Sequence, residues 1–203
     1  METAIGPCTI DKPYVAIANA SRLCSRRVQP PGGQEGAHPT ADVTLEHDDA
    51  PDFTLDSTAG EPVTLSETLA DGPTVVLINR GHWCSFCAEQ LQTFSEVSYD
   101  LWFHDDVDIL PVVTDPLGAV TEMRDRYDLD VQLLADPTGE VAEQYSGTEE
   151  TSHGLTGIAA TYVVDTDGTV RYEQVADHPG DRTYGNYVRY YIRNDFADPF
   201  GGA

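Results

Sequence analysis

The stretch from Thr74 to Leu101 constrains this chain more than any other. Thr74-Val75-Val76-Leu77-Ile78 is an unbroken apolar run of the kind that forms a strand buried on both faces. From Ala88 the period changes, and apolar residues fall at Leu91, Phe94, Val97 and Leu101, which is helical spacing. Arg80-Gly81-His82 supplies the turn, and Trp83-Cys84-Ser85-Phe86-Cys87 lies at the join. A strand feeding straight into a helix belongs to a layered α/β fold. It also puts two thiols where free backbone N–H groups and the positive end of the helix dipole converge. A thiolate is favoured there, and the thiolate is the reactive form of cysteine.

Alternation and turn chemistry divide the rest. Asp52-Phe53-Thr54-Leu55 and Pro62-Val63-Thr64-Leu65 flank Ser57-Thr58-Ala59-Gly60 and read as an N-terminal hairpin. Ser66 is the expected cap of a short helix over 67–70. A strand over 74–79 and a helix over 86–103 follow, then a strand over 107–113 and a helix over 120–127. A short strand over 131–134 turns through Asp136-Pro137-Thr138-Gly139 into a helix over 139–145. Strands over 161–164 and 170–175 pair across Asp165-Thr166-Asp167-Gly168. Tyr184, Tyr187, Val188 and Tyr191 mark one face of a last helix. The order implies an α/β fold with a central mixed sheet flanked by helices. Residues 1–40 stand apart, with net charge +1 against −25 for the remainder, and Gln29-Pro30-Pro31-Gly32-Gly33 reads as a linker. A disordered extension over 1–40 and one domain over 41–203 are expected, with Cys8 and Cys24 as bystanders.

Charge excludes whole classes of partner. The chain has 35 acidic and 11 basic side chains and a net charge of −24, and Lys12 is its one lysine. Such a surface repels nucleic acid and anionic membranes, so neither is an expected partner. Acid-rich, lysine-poor composition suits a salt-accumulating halophile, where a Debye length of about 3 Å at molar salt screens self-repulsion. No apolar run approaches the roughly 20 residues of a bilayer span. No segment has the apolar length of an export signal, so a cytoplasmic location is expected. Four cysteines are too few for a disulfide scaffold. Zinc would want a second ligand pair beside Cys84 and Cys87, and the sequence offers none in a structured context. Asp165–Gly168 has its glycine too early for a calcium loop. No metal or cofactor is expected.

Taken in order, these motifs resemble the redoxin branch of the thioredoxin fold: the peroxiredoxin-like proteins of the alkyl hydroperoxide reductase and thiol-specific antioxidant group. Ala50-Pro51-Asp52-Phe53-Thr54-Leu55 is similar to the opening signature of that family. The segment from Leu77 to Cys87 resembles its strand and active-site turn, and Ile109 to Asp115 its second core strand. Leu133 to Pro137 and Ala160 to Asp165 resemble later landmarks. The resemblance implies a thioredoxin-like fold with an N-terminal β-hairpin extension. It implies an antioxidant oxidoreductase acting on a hydroperoxide or a protein disulfide, reset by a thioredoxin-like dithiol reductant. Homodimers are common in that family. Two departures stand out. The family's Pro-x-x-x-Thr-x-x-Cys loop would put proline and threonine at Leu77 and Gly81, and Ala159 stands where its members carry proline or arginine.

A free thiol with a pKa of about 8.5 is only about 3% ionised at pH 7. A helix N-terminus contributes up to about 2 kcal/mol, more than one pKa unit. Cys84, at the helix mouth and the more accessible of the two, is the expected nucleophile, and Cys87 the resolving thiol. Arg80 is the expected aid to the thiolate or to a peroxide oxygen, unless it simply pairs with an acid. Trp83, His82 and Thr114 are the candidate substrate contacts. Asp115 either borders the site or caps the next helix, and His153 and Gly154, ahead of the facing strand, either border it or lie clear of it. Three readings are open: a thiol peroxidase, a thioredoxin-like thiol-disulfide oxidoreductase, and a non-catalytic redox sensor or binding module.

Overall fold

A computed structural model describes residues 44–196. The expected extension over 1–40, with Cys8 and Cys24, lies outside the described residues. The elements in order are β1 (Thr54–Ser57), β2 (Val63–Thr64), α1 (Leu65–Thr68), β3 (Thr74–Asn79), α2 (Ser85–Asp105), β4 (Asp108–Val113) and α3 (Leu117–Tyr127). Then come β5 (Leu134–Ala135), α4 (Glu140–Tyr145), β6 (Thr148–Thr151), β7 (Gly154–Gly157), β8 (Ala160–Val164), β9 (Val170–Val175) and α5 (Gly185–Tyr191), with a π-helical turn over Ile192–Phe196.

Seven strands form one sheet in the order β2-β1-β5-β4-β3-β8-β9. β3, β4 and β5 run parallel, while β8 runs antiparallel to β3 and β9 antiparallel to β8. The sheet is therefore mixed, as the sequence implies. The N-terminal hairpin joins it through the antiparallel pairing of β1 with β5. β6 and β7 form a separate two-stranded ladder. Ahead of β1, residues 44–50 lie against β9. The N–H groups of His47 and Ala50 reach the carbonyls of Val170 and Gly168, and the Glu173 carboxylate accepts from the N–H groups of Leu45 and Glu46.

β3 lies inside the sheet, and all six of its residues are buried. Its period of two sends Val75 and Leu77 to one face and Val76 and Ile78 to the other. On the first face they meet Leu91, Phe94 and Leu101 of α2, Val120 and Met123 of α3, and Val188 of α5. On the second they meet Leu65 and Leu69 around α1 and Val141, Ala142 and Tyr145 of α4. Each fully buried large apolar side chain contributes about 1.5–3 kcal/mol of transfer free energy.

Several local expectations are corrected. Ser66 does not cap α1; the Asp52 carboxylate accepts from the Ser66 N–H at 2.9 Å and its hydroxyl at 2.8 Å. α3 begins at Leu117, directly after Pro116, rather than at 120. Only Leu134 and Ala135 of the expected strand over 131–134 and its edge pair with β4, so Val131 and Leu133 are buried by packing and not by a ladder. Tyr187 is 54% exposed, because α5 buries Gly185 and Val188 instead. β6 and β7 have no counterpart in the sequence reading.

Candidate active site

β3 carries the chain to the carboxyl edge of the sheet, and the turn at 80–83 hands it to α2. Gly81 is required in that turn by space. A Cβ there would lie 2.6 Å from the Trp83 indole nitrogen and 2.9 Å from a carboxylate oxygen of Asp115. The same oxygen accepts from the His82 backbone N–H at 2.7 Å and from its Nδ1–H at 2.9 Å. Asp115, at the end of β4, thus anchors the turn that presents the thiols.

Cys84 is the N-cap of α2, and its Sγ accepts from the Cys87 N–H at 3.3 Å. The Cys87 thiol donates to the same sulfur, with the two Sγ atoms 2.6 Å apart. This hydrogen bond is the leading reason that the Cys84 pKa falls from 9.0 to about 6. Burial opposes the fall; the Cys87 N–H and the positive charges of Arg182 and Arg80 add to it. Cys87 is pushed well upward by burial, by its bond to Cys84 and by the Cys84 charge. One unit above its pKa a thiol is about 90% ionised, so at neutral pH the pair holds one thiolate and one thiol.

Cys84 is the less buried of the two thiols, as expected, but both are covered. Cys84 is 3% exposed and Cys87 is fully buried. Trp83, half-buried, packs against the apolar cluster that holds both sulfurs. Its ring stacks on His153 with centroids 3.9 Å apart, and the Arg80 guanidinium carbon lies 5.2 Å from it. Arg80 also pairs with Glu149 on β6 at 2.8 Å, an acid partner of the kind the sequence offers in abundance. Thr114 is 6% exposed; its hydroxyl donates to the Asn79 carbonyl and accepts from the Gly157 N–H, joining the ends of β3, β4 and β7. A Cβ at Gly157 would lie 2.8 Å from that hydroxyl.

Cys84, Cys87, Arg80, His82, Trp83, Asp115 and His153 thus come together, with Thr114 beneath them and Gly154 out at the exposed hairpin turn. The sequence reading missed Arg182 and Glu149. Arg182 sits in the segment between β9 and α5, and one of its terminal nitrogens is 3.7 Å from Cys87 Sγ. Its Nε, like that of Arg80, is buried without a hydrogen-bond partner. Gln90 ties that segment to α2 by donating to the Thr183 carbonyl at 2.8 Å. Nothing within the local sequence flags Arg182, since 95 residues separate it from Cys87. Ala159 directly precedes β8 and is buried. Among the described residues no three His, Cys, Asp or Glu side chains converge as metal ligands, and no helix is long and apolar enough to cross a membrane.

Residues 47–173 match the family model described as AhpC/TSA family. Solved structures with the same fold include the peroxidoxin BcpB of Mycobacterium tuberculosis, at 22% identity and TM-score 0.64, covering 76% of this chain and 98% of that one. AhpC of Enterococcus faecalis matches at 18% identity and TM-score 0.65, covering 79% of this chain and 98% of that one. The reduced 2-Cys peroxiredoxin of Plasmodium vivax matches at 13% and 0.67, covering 79% and 86%. No curated protein matches the chain. A thioredoxin-like mixed sheet, a dithiol at the head of its long helix and a family match across most of the described body make this chain a member of the AhpC/TSA family, a peroxiredoxin-like thiol-dependent oxidoreductase.

Proposed function

We propose that the protein reduces hydroperoxides through a dithiol–disulfide cycle in which Cys84 attacks and Cys87 resolves. The observation that carries the reading is the opposite ionisation of two touching sulfurs, one thiolate and one thiol, in a site closed to large molecules. The Cys84 thiolate attacks the nearer peroxide oxygen. An S–O bond forms, the O–O bond breaks, and the leaving alkoxide or hydroxide takes a proton from solvent. The Cys87 sulfur then displaces the sulfenic hydroxyl from Cys84, giving a disulfide and water. A thioredoxin-like dithiol resets the pair by exchange. Arg182 and Arg80 hold the negative charge near the sulfurs, and their unpartnered Nε–H groups are the donors available to a peroxide oxygen. In this reading His82 and Trp83 shape the mouth of the site, and Thr114 acts as a scaffold residue. Burial of Cys84 in the reduced site favours a small peroxide over a protein disulfide as the molecule it meets, whereas reset by a protein dithiol requires the oxidised site to open and expose a sulfur.

The test is stopped-flow mixing of the fully reduced protein with hydrogen peroxide in molar salt, followed by tryptophan emission. Oxidation well above the rate of free cysteine is expected. A rate no faster than free cysteine, with brisk reduction of insulin disulfides, overturns the peroxidase reading in favour of a protein oxidoreductase. The same proposal places the protein in the cytoplasm of a salt-accumulating organism, working without a cofactor and as a homodimer. Its acid-rich surface then leads us to expect unfolding on transfer from molar potassium chloride to dilute buffer, measured by circular dichroism.

A further inference from the structure

We propose that His153 and Glu149, on the β6–β7 hairpin, set the size of molecule that reaches Cys84 by clamping Trp83 beside it. The inference rests on the reading of Cys84 as the attacking thiol. With Cys84 3% exposed and Cys87 fully buried, a reagent reaches sulfur only when a neighbour moves. Trp83 is the residue directly ahead of Cys84. Its indole is stacked on His153, with the planes within 14° of parallel, and it lies beside the Arg80 guanidinium that Glu149 holds at 2.8 Å. Both restraints come from the same hairpin: Glu149 from β6 and His153 from the turn that follows.

The hairpin is built to release them. It belongs to no larger sheet. Its base is fixed, since the Ile158 N–H donates to the Gly147 carbonyl, the Ser146 hydroxyl to the Ile158 carbonyl and the Gly157 N–H to Thr114. Its tip is not, since residues 152–155 are all exposed. A two-stranded ladder is marginal by itself, and this one meets the body lightly, through Leu155 and Thr148 beside Gly139 and the Thr148 hydroxyl on Glu143; segments with few buried contacts open at low cost. Trp83 and Arg80 add the restraint on the tip that lies over the site, and lifting it frees the indole. Small oxidants pass on minor fluctuations of the indole, whereas bulky ones wait for the hairpin. His153 and Glu149 are then specificity-determining residues, and the favoured oxidants are hydrogen peroxide and short-chain hydroperoxides.

The experiment compares N-ethylmaleimide with N-(1-pyrenyl)maleimide on the full-length reduced protein at pH 8, where Cys84 is ionised in every variant. Both reagents add to the thiolate in the same way: an S–C bond forms and the neighbouring carbon takes a proton. Modification of Cys84 is read by peptide mass spectrometry, and the rate ratio is normalised to that of the urea-unfolded protein. Wild type is expected to disfavour the pyrenyl reagent by about ten-fold or more, and His153→Ala to recover most of that gap. Glu149→Gln is expected to recover about two-fold, as suits a partly exposed ion pair. His153→Phe keeps a stacking ring and is expected to retain the wild-type ratio, which separates the clamp from general loosening of the hairpin. No size discrimination in wild type, or the same ratio in His153→Ala, overturns the proposal. Alkylation consumes no peroxide, so failure of the gate and failure of the peroxidase reading are separate results.

Discussion

The central sheet separates two pairs of buried ionisable side chains. On one face lie Cys84 and Cys87; on the other lie Tyr145 and Tyr162, with ring centroids 5.2 Å apart. Both pairs are chained by hydrogen bonds. The Tyr162 hydroxyl donates to the Tyr145 carbonyl and the Tyr145 hydroxyl to the Pro51 carbonyl, each at 2.7 Å. The phenols are pushed well upward by burial, and after it by the negative charges near them, Asp52 for Tyr145 and Glu173 for Tyr162. Cys84 suffers the same burial and moves the other way, because it receives hydrogen bonds where the phenols give them, and faces arginines where they face acids. Withdrawal from water is common to both faces; the direction of donation and the sign of the neighbours divide a reactive site from an inert core.

The sharpest way to break this contrast is Cys84→Ser. The alcohol does not ionise in this range, so peroxide-driven oxidation of the protein is expected to fall more than about 100-fold, measured by stopped flow. Next comes Cys87→Ala, which removes the main donor to the Cys84 sulfur. The Cys84 titration, followed at 240 nm, should move up from about 6 by a unit or more. Its rate with peroxide at pH 6 should then drop about five-fold or more, and a dimedone-reactive sulfenic acid should persist. In the wild type the same rate is expected to be flat above about pH 7 and to fall as pH drops through about 6. The sign for stability follows. Between about pH 6 and pH 9 the unfolded chain binds the Cys84 proton that the native state has released, so the site stabilises the reduced protein increasingly with pH and is lost below about 6.

Smaller effects sharpen the comparison. Arg182→Gln should raise the Cys84 midpoint by less than Cys87→Ala does, slowing oxidation at pH 6 by about three-fold. Tyr162→Phe removes the donor to the Tyr145 carbonyl and should cost about 1 kcal/mol in urea melts at pH 7. Its alkaline behaviour tests the other face. Above about pH 10 the unfolded chain releases phenolic protons that the native state keeps, so stability falls with pH. The fall should be shallower in the variant.

Sequence alone made the chemistry legible because its signals are local. β3 matches the expected span, since an apolar run between a turn and a Pro-containing loop leaves little choice. α2 differs from expectation by one or two residues at each end, where Cys84 and the left-handed Asp106 close it. Cys84 and Cys87 were evident by spacing, but the source of the Cys84 acidity was not. The expectation invoked the helix end, and the foremost cause is the neighbouring thiol. What escaped notice depends on distant contacts. At α1 Ser66 donates to Asp52 instead of accepting as a cap, because the hairpin brings that carboxylate there. β6 and β7 escaped because Thr148-Glu149-Glu150-Thr151 is polar throughout and Gly154-Leu155-Thr156-Gly157 carries two glycines. Arg182 and Glu149 enter the site only once the segment after β9 and that hairpin have folded back onto Cys87 and Arg80.

The short segment ahead of β1 reaches beyond its own fold. By bonding the backbone at Gly168 and Val170, and by engaging the Glu173 carboxylate, it covers the start of β9 at that margin of the sheet. The opposite margin, β2, is only two residues long. Among the described residues both margins of the main sheet are thus blunted, one by a strap over its start and the other by shortness, which disfavours edge-to-edge joining of two such sheets.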